Sequence, residues 1–143
     1  PLCGDMVVHE LSSTNELITE AGSLIASALT VSVDTKFEGV KGLFSGEGLF
    51  FLRMTGYGPA ILGAFGAIDT IELDGEMIVD TGHLVAFTNG IGYQVEKSAS
   101  NWITSLLSGE GMVLRLQGRG TVYLQTRNRQ AFGGAVGRHL ASR

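Results

Sequence analysis

The sequence predicts an all-β fold, an antiparallel sandwich or barrel built from two internally repeated units. Three observations support this prediction. Short runs of Val, Ile, Leu, Phe and Thr are bounded by Gly, Asn, Asp and Ser, which is the pattern of strands and turns. Glycine is frequent, at 21 of 143 residues. The third observation is an internal duplication, which assigns many of these glycines to turns and bulges used twice.

The duplication consists of three matched blocks in the same order. The first block contains five identical positions, and small insertions explain the slight drift in spacing between the blocks. The matches are residues 16–26 with 76–86, 45–48 with 108–111, and 52–58 with 114–120.

These matches define the predicted organisation of the chain. We predict one β-domain over residues 1–129, with repeat units at 7–66 and 69–128. Residues 130–143 form a Gly- and Arg-rich tail, which we expect to be loosely ordered because glycine is a poor helix former. Residues 98–108 could add one or two helical turns.

Glycine-containing turns are expected to connect the strands as hairpins, because a tight hairpin needs a positive φ at its tip. Runs that are apolar at nearly every residue, such as 49–52, predict strands covered on both faces, in a sandwich core or at a subunit interface. The hairpin signals are Gly56–Gly58, Asp74-Gly75, Asn89-Gly90 and Gly118–Gly120.

Composition excludes several classes of protein. Hydrophobic residues make up 44% of the chain and charged residues 17%, which is incompatible with general disorder. The single cysteine, Cys3, cannot form an internal disulfide and favours a reducing compartment. If the source is a prokaryote, this compartment is the cytoplasm. The longest apolar stretch, residues 57–68, is interrupted by glycines and is shorter than the ~20 residues of a membrane-spanning helix.

The sequence offers no convincing catalytic or metal site, and we predict no enzyme activity, cofactor or small-molecule substrate. His9, His83 and His139 are far apart and lie near no other metal ligands at a suitable spacing. A β-fold could still bring His9 and His83 together. Neither a Gly-x-Ser-x-Gly elbow nor a phosphate-binding Walker loop is present in the sequence.

Glu47 and Glu110 occupy equivalent positions in the two units, each between two glycines. Paired carboxylates can perform acid–base chemistry, but a repeated turn or bulge device is the favoured interpretation. We therefore assign structural turn roles to Gly46, Gly48, Gly56, Gly58, Gly109, Gly111, Gly118 and Gly120.

Five arginines are the candidate binding residues: Arg53, Arg115, Arg119, Arg127 and Arg129. Arg53 and Arg115 repeat at equivalent positions, and the other three surround the last expected hairpin near Tyr123. Arginines beside an aromatic ring can bind phosphates or bases, but they could equally pair with carboxylates of a neighbouring subunit. The net charge of −4 disfavours a general nucleic-acid surface.

Residues 42–50, 80–87 and 118–127 together resemble the altered-inheritance-of-mitochondria family, formerly a domain of unknown function. The resemblance extends from about Leu2 to Arg129. One departure is Gly118-Arg119-Gly120, where the family more often has Gly-Pro-Gly. The resemblance implies a fold like that of the tryptophan RNA-binding attenuator protein, and a longer chain with another related unit upstream. It supplies no catalytic residues.

The resemblance also guides the functional hypothesis. Fungal relatives are associated with the mitochondrial inner membrane, and prokaryotic relatives have no assigned activity. Two units taken from a three-unit barrel would leave strand edges unpaired, and such edges invite association. We therefore expect a homo-oligomer that acts by self-association and by binding a protein partner or a membrane surface. An RNA- or nucleotide-binding oligomer is the alternative, by fold analogy.

Overall fold

Strands dominate the computed structural model, which describes residues 3–36, 50–97 and 112–140. Two 3₁₀ turns, Ala21–Ser23 and Thr81–His83, occupy equivalent positions in the two repeats. The strands within the described ranges are β1 (Met6–Leu11), β2 (Leu17–Glu20), β3 (Leu24–Ser27), β4 (Val31–Lys36), β5 (Phe51–Gly56), β6 (Gly58–Gly63), β7 (Ile68–Asp80), β8 (Leu84–Thr88), β9 (Ile91–Lys97) and β10 (Met112–Gln125).

The strands form two sheets, and every pairing between these strands is antiparallel. The smaller sheet has the order β1-β6-β3. The larger sheet has the order β4-β5-β2-β8-β10-β7, with β9 added on β10. The prediction of an all-β antiparallel fold is therefore confirmed.

The strand registers repeat between the two halves of the chain. In the first half, β1 pairs with β6 so that Leu11 faces Gly58. In the second half, the equivalent pair is Leu73 with Gly120, because the duplication aligns position 11 with 73 and position 58 with 120. The pairings β4–β5 and β9–β10 correspond in the same way, with Val31 opposite Gly56 and Ile91 opposite Gly118. The β7 and β10 strands each combine two strands of the first half.

The hairpins expected at the glycine-containing turns are wrong. β5 pairs with β2 and β4, whereas β6 pairs with β1 and β3, so the strands on either side of Gly56–Gly58 do not pair with each other. Asp74-Gly75 and Gly118–Gly120 lie inside the continuous strands β7 and β10. Asn89-Gly90 joins β8 to β9, and both strands pair with successive stretches of β10.

These glycines form sheet corners. Gly56 and Gly118 have φ values of +118° and +139°, a backbone conformation that glycine adopts without steric cost. A Cβ atom at Gly56 would overlap the carbonyl oxygen of Thr30, and one at Gly118 would overlap that of Gly90. The sequence signal for positive φ was correct, but the glycines serve corners rather than hairpins. At Gly56–Gly58 the chain passes from the larger sheet into the smaller one, whereas at Gly118–Gly120 strand β10 continues within the larger sheet.

Two apolar clusters fill the space between the sheet layers. The first is built around Leu17, Met54 and Leu62, each fully buried, and takes Val85 and Tyr123 from the second repeat. The second cluster consists mainly of residues from the second repeat and takes two from the first. Its buried members are Ile18, Phe51, Leu73, Val79, Leu84, Phe87, Ile91, Leu114, Leu116 and Val122.

The C-terminal segment is more regular than the sequence suggested. Arg129–Gly137 forms a helix, α1, in the region expected to be loosely ordered. Asn128 begins it by accepting a hydrogen bond from the backbone N–H of Ala131 (3.1 Å), which satisfies one of the free N–H groups of the first turn. The ring of Phe132 also contacts that of Phe65, with centroids 5.2 Å apart. The helical turns expected at 98–108 lie outside the described residues.

Candidate functional site

The junction between the two repeats is a pair of strand edges. β2 of the first repeat pairs with β8 of the second, with Leu17 opposite Thr88, Ile18 opposite Phe87 and Thr19 opposite Ala86. The Thr19 hydroxyl also donates a hydrogen bond to the carbonyl oxygen of Val85 (3.0 Å). This contact buries both strands and makes one continuous sheet from parts of the two repeats.

Each junction strand has a counterpart that makes no equivalent pairing within the described residues. The counterpart of β8 is β3, which pairs with β6 on one side. The counterpart of β2 is residues 77–80, here named the β7 end, which pair with β10 on one side. The second edges of β3 and of the β7 end are both unpaired in the described part of the chain.

Side-chain exposure differs sharply between these counterparts. Ile18 on β2 is 8% exposed, whereas Ile78 on the β7 end is 56% exposed. Val85 on β8 is fully buried, whereas its counterpart Ile25 on β3 is 44% exposed. Equivalent apolar residues are therefore covered at the junction and uncovered at the two ends.

Exposed apolar residues continue across the small sheet. Met6 and Val8 on β1 are 65% and 56% exposed. Ile61 on β6, which is half-buried, lies opposite Val8. Together with Ile25 these residues form the outer patch (Met6, Val8, Ile25 and Ile61). In the second repeat the counterpart of Ile61 is Tyr123, which is buried under the first repeat.

A buried polar contact joins the repeats beneath this sheet. His9 Nδ1 lies 2.9 Å from the hydroxyl oxygen of Tyr123, and the rings meet edge to face. His9 Nε2 has no hydrogen-bond partner among the described residues. Burial lowers the pKa of His9 below its ordinary value of 6.5, opposed by the charge of Glu10. Burial also raises the pKa of Tyr123.

Gln125 is a second buried polar link between the repeats. Its side-chain oxygen accepts a hydrogen bond from the backbone N–H of Phe65 (2.8 Å), and its amide nitrogen donates to the carbonyl oxygen of Gly82 (2.7 Å). Gly82 also neighbours His83, whose Nδ1 lies 2.7 Å from the backbone oxygen of Gln125 itself. The buried amide thereby satisfies backbone groups of both repeats.

The two repeated arginines are held by carboxylates on, or directly before, neighbouring strands. Arg53 Nε donates to Glu16 (2.7 Å), and this hydrogen bond is the main cause that raises the arginine's pKa. Arg115 Nε donates to Glu96 (2.7 Å) and its Nη1 to Glu76. The bond from Arg115 lowers the pKa of Glu96. The carboxylate partners considered for these arginines thus lie within the same chain.

The other three candidate arginines do not form one cluster. Arg119 Nη2 donates to Asp74 (2.8 Å) at a sheet corner, and both side chains are largely exposed. Arg127 and Arg129 follow the end of β10, and Arg129 reaches the carbonyl oxygen of Gly22 at 3.4 Å. The strand between positions 119 and 125 separates the two places by roughly 20 Å.

The described residues contain no group of three or more side chains that could hold a metal ion. His9 and His83 have separate partners, Tyr123 and Gln125. Four of the turn glycines lie at corners, namely Gly56, Gly58, Gly118 and Gly120, all with positive φ. Gly46, Gly48, Gly109 and Gly111, like Glu47 and Glu110, lie outside the described residues.

The described residues include no helix that is long and apolar enough to span a membrane. Comparison with known proteins gives three findings. The family model described as mitochondrial biogenesis AIM24 matches residues 1–127. An uncharacterized protein of Streptococcus pyogenes serotype M6 is 32% identical over 142 residues. A crystal structure of a Streptococcus pyogenes protein superposes with a TM-score of 0.84 at 28% identity.

The matched relatives are longer than this chain. The alignments cover 96% of the chain but 56% of the serotype M6 protein and 61% of the crystallised protein. The chain therefore spans a little over half of the length of each relative.

Proposed function

This chain belongs to the mitochondrial biogenesis AIM24 family, as its motifs predict, and from that premise we propose a non-enzymatic β-domain that works by self-association and partner binding. We place it in the cytoplasm of a prokaryotic cell. The observation that carries the proposal is the contrast between the covered junction strands and their uncovered counterparts. Covering apolar surface is the dominant favourable contribution to most protein–protein association.

The outer patch is the main surface for this association. Its side chains stand on three neighbouring strands, and three of the four are 44% to 65% exposed. A contiguous exposed apolar face of this kind is typical of an interaction site. The unpaired edges of β3 and the β7 end add backbone N–H and C=O groups that another strand can use.

The titratable groups that are buried or ion-paired support a structural role for the domain. His9 and Tyr123 are enclosed in the core, where they hydrogen-bond to each other. Arg53 and Arg115 bridge neighbouring strands through carboxylates. These contacts use the groups that would otherwise be the first candidates for catalysis or for binding an anionic ligand.

Size-exclusion chromatography with light scattering tests the proposal. We expect a mass above that of one chain, which is 15.1 kDa, and a mass that rises with protein concentration. Val8→Asp and Ile25→Asp should return the mass to one chain, because each places a charge within the outer patch. Val33→Asp is the matched control, since Val33 is 41% exposed on β4, away from the patch. The mass of a single chain at every concentration overturns the proposal.

Helix α1 favours a membrane surface as one binding partner. Phe132 and Val136 lie four residues apart on one helix face and are 53% and 39% exposed. Arg129 and Arg138 lie near the helix ends and could attract anionic lipid.

Co-sedimentation with phosphatidylcholine vesicles, with and without phosphatidylglycerol, tests this binding. We expect binding to the anionic vesicles and its loss in the double variant Phe132→Ser and Val136→Ser. Tyr57→Ser, at an exposed aromatic residue of a sheet corner, should bind like the wild-type protein. Equal binding by all three proteins contradicts a role for the helix.

The RNA-binding alternative rests on the predicted likeness to the tryptophan RNA-binding attenuator protein, which stays a prediction. Arg119, Arg127 and Arg129, three of the candidate arginines, are exposed and could contact phosphate. Titration with single-stranded RNA over a salt series separates the alternatives, because phosphate contacts are strongest at low salt. Tight binding at low salt that weakens steeply with salt supports the alternative, and absent binding at low salt excludes it.

A further inference from the structure

We infer that the unpaired edge of β3 in one copy of this chain pairs with the unpaired edge of the β7 end in a second copy, in the register of the internal β2–β8 junction. This inference rests on the proposed self-association and names the strands that carry it. The template is a contact that the chain already makes with itself. The first matched block of the duplication aligns β2 with the β7 end and β3 with β8.

The same alignment defines the register of the contact between copies. At the internal junction Leu17 faces Thr88, Ile18 faces Phe87 and Thr19 faces Ala86. Shifting each residue to its counterpart places Met77 opposite Ala28, Ile78 opposite Ser27 and Val79 opposite Ala26 of the second copy. β3 and the β7 end already pair with β6 and β10 in registers that match those of their counterparts. The unpaired edges of β3 and the β7 end therefore have the same position relative to their inner neighbours as the paired edges of β8 and β2.

The residues equivalent to His9 and Tyr123 are apolar, which fits a contact between copies. At the internal junction, His9 of the first repeat meets Tyr123 of the second through a hydrogen bond. The counterparts in the contact between copies are Ile71 for His9 and Ile61 for Tyr123, and both are half-buried. Two isoleucines meeting there leave no polar group unsatisfied, and Ile61 belongs to the outer patch. The edge pairing and the patch would be covered together.

Exposure selects these edges from the other edges of the sheets. β4 and β9 are equivalent strands, and each pairs with one strand among the described residues. Because neither repeat pairs the second edge of this strand, the duplication gives no example of how that edge would bind another strand. β2 and β8 provide that precedent, and their counterparts are the ones with exposed isoleucines. Since the two edges differ from each other, the contact is head to tail and can repeat from copy to copy.

Directed disulfide trapping tests the inference in a Cys3→Ser background, which removes the free, exposed thiol. One preparation carries Ile78→Cys and a second carries Ser27→Cys, and the two are mixed under mild oxidation. A parallel mixture uses Met77→Cys and Ala28→Cys. Neighbouring antiparallel pairs alternate between wide and narrow spacing, so at least one mixture presents a narrow pair suited to a disulfide.

We expect a cross-linked dimer in at least one mixture, at a yield at least tenfold above that of the control mixture of Ile78→Cys with Val33→Cys. Val33 is exposed on the edge strand β4, so the control reports random collision. Circular dichroism confirms that each variant remains folded.

Each outcome decides a separate question. A mass above one chain, with cross-linking no higher than the control, overturns the inferred pairing while self-association through the patch survives. A mass of one chain without specific cross-linking overturns both, and leaves the edges to a segment of a longer chain or to another protein.

Discussion

The junction strands and their counterparts differ in what surrounds them rather than in what they are. β2 and the β7 end share Ile at the second position of the strand and pair with their inner neighbours in the same register. Yet Ile18 is covered by the second repeat, and Ile78 faces outward. The same difference separates β8 from β3. Burial of these strands is thus supplied by a neighbouring repeat, and a single repeat lacks part of its own cover.

Substitutions at the corner glycines should cause the largest losses of stability. Comparing one corner from each repeat tests whether the two repeats are alike. Gly56→Ala and Gly118→Ala each combine positive φ with overlap of a backbone carbonyl oxygen. We expect each to lower the free energy of unfolding by more than ~3 kcal/mol. Urea unfolding of the two variants should give similar losses.

Two other glycines separate the cost of a positive φ from the cost of steric overlap. Gly75 has φ +128° but open space around a Cβ, so Gly75→Ala should cost about 1–3 kcal/mol. At Gly92 a Cβ would lie 3.7 Å from the oxygen of Gln117, an ordinary contact, and Gly92→Ala should change stability little. Equal losses in all four variants would contradict the assignment of Gly56 and Gly118 as crowded corners.

A matched pair of isoleucines tests the difference between the junction and the open ends, the name used here for β3 and the β7 end. Ile18→Ala should lower the free energy of unfolding by about 2–5 kcal/mol, because the side chain is buried in the second core cluster. Ile78→Ala should change it by less than ~0.5 kcal/mol when the protein is dilute. Thermal or urea unfolding at low protein concentration measures both. A large loss for Ile78→Ala under those conditions would show that the β7 end is covered within one chain.

Tyr123→Phe should have a smaller effect that reports on the buried contact between repeats. Removing the hydroxyl leaves His9 without its partner, and we expect a loss of about 1–3 kcal/mol in the free energy of unfolding. Tyr57→Phe, at an exposed corner, should have no measurable effect. If both substitutions are neutral, the His9–Tyr123 hydrogen bond does not stabilise the fold.

Acidification should give the smallest effect. Burial lowers the pKa of His9, so below pH 6.5 the unfolded chain binds a proton that the folded chain resists. Stability from this residue is present above pH 6.5 and falls as the pH decreases. The ion pair that lowers the pKa of Glu96 acts in a lower range, below its ordinary value of 4.5.

His9→Ile, which copies the Ile71 of the second repeat, should therefore flatten the dependence of unfolding free energy on pH as the pH falls below 6.5. Urea unfolding at several pH values measures this dependence. An unchanged slope in the variant would assign the acid sensitivity to other groups.

Much of the fold could be predicted from the sequence because duplication and β patterning are local signals. The matched blocks correctly identify Leu52–Gly58 and Leu114–Gly120 as equivalent stretches, which pair with equivalent strands in equivalent registers. The glycines at positions 56 and 118 indicated positive φ but not which strands pair on either side. Pairing is set by long-range packing, so a corner and a hairpin carry the same local signature.

The candidate site was less accessible to sequence reasoning. His9 and Tyr123 are 114 residues apart in the sequence. Gln125 links Phe65 to Gly82, but nothing in the sequence distinguishes it from any other glutamine at the end of a strand. The duplication held one usable signal, since His9 and Tyr123 each replace an isoleucine found in the other repeat. Equivalent strands have similar sequences whether or not a second strand pairs with them. Which strand edges stay unpaired could therefore be learned only from the three-dimensional structure.

Hydrogen–deuterium exchange at increasing protein concentration tests the pairing of the open ends most directly. The segments to compare are residues 24–28 and 76–80 against the junction segments 16–20 and 84–88. Protection of the first two segments should rise with concentration toward that of the junction, because pairing with a second copy satisfies their free backbone groups. Exchange in residues 24–28 and 76–80 that stays fast at every concentration would contradict it.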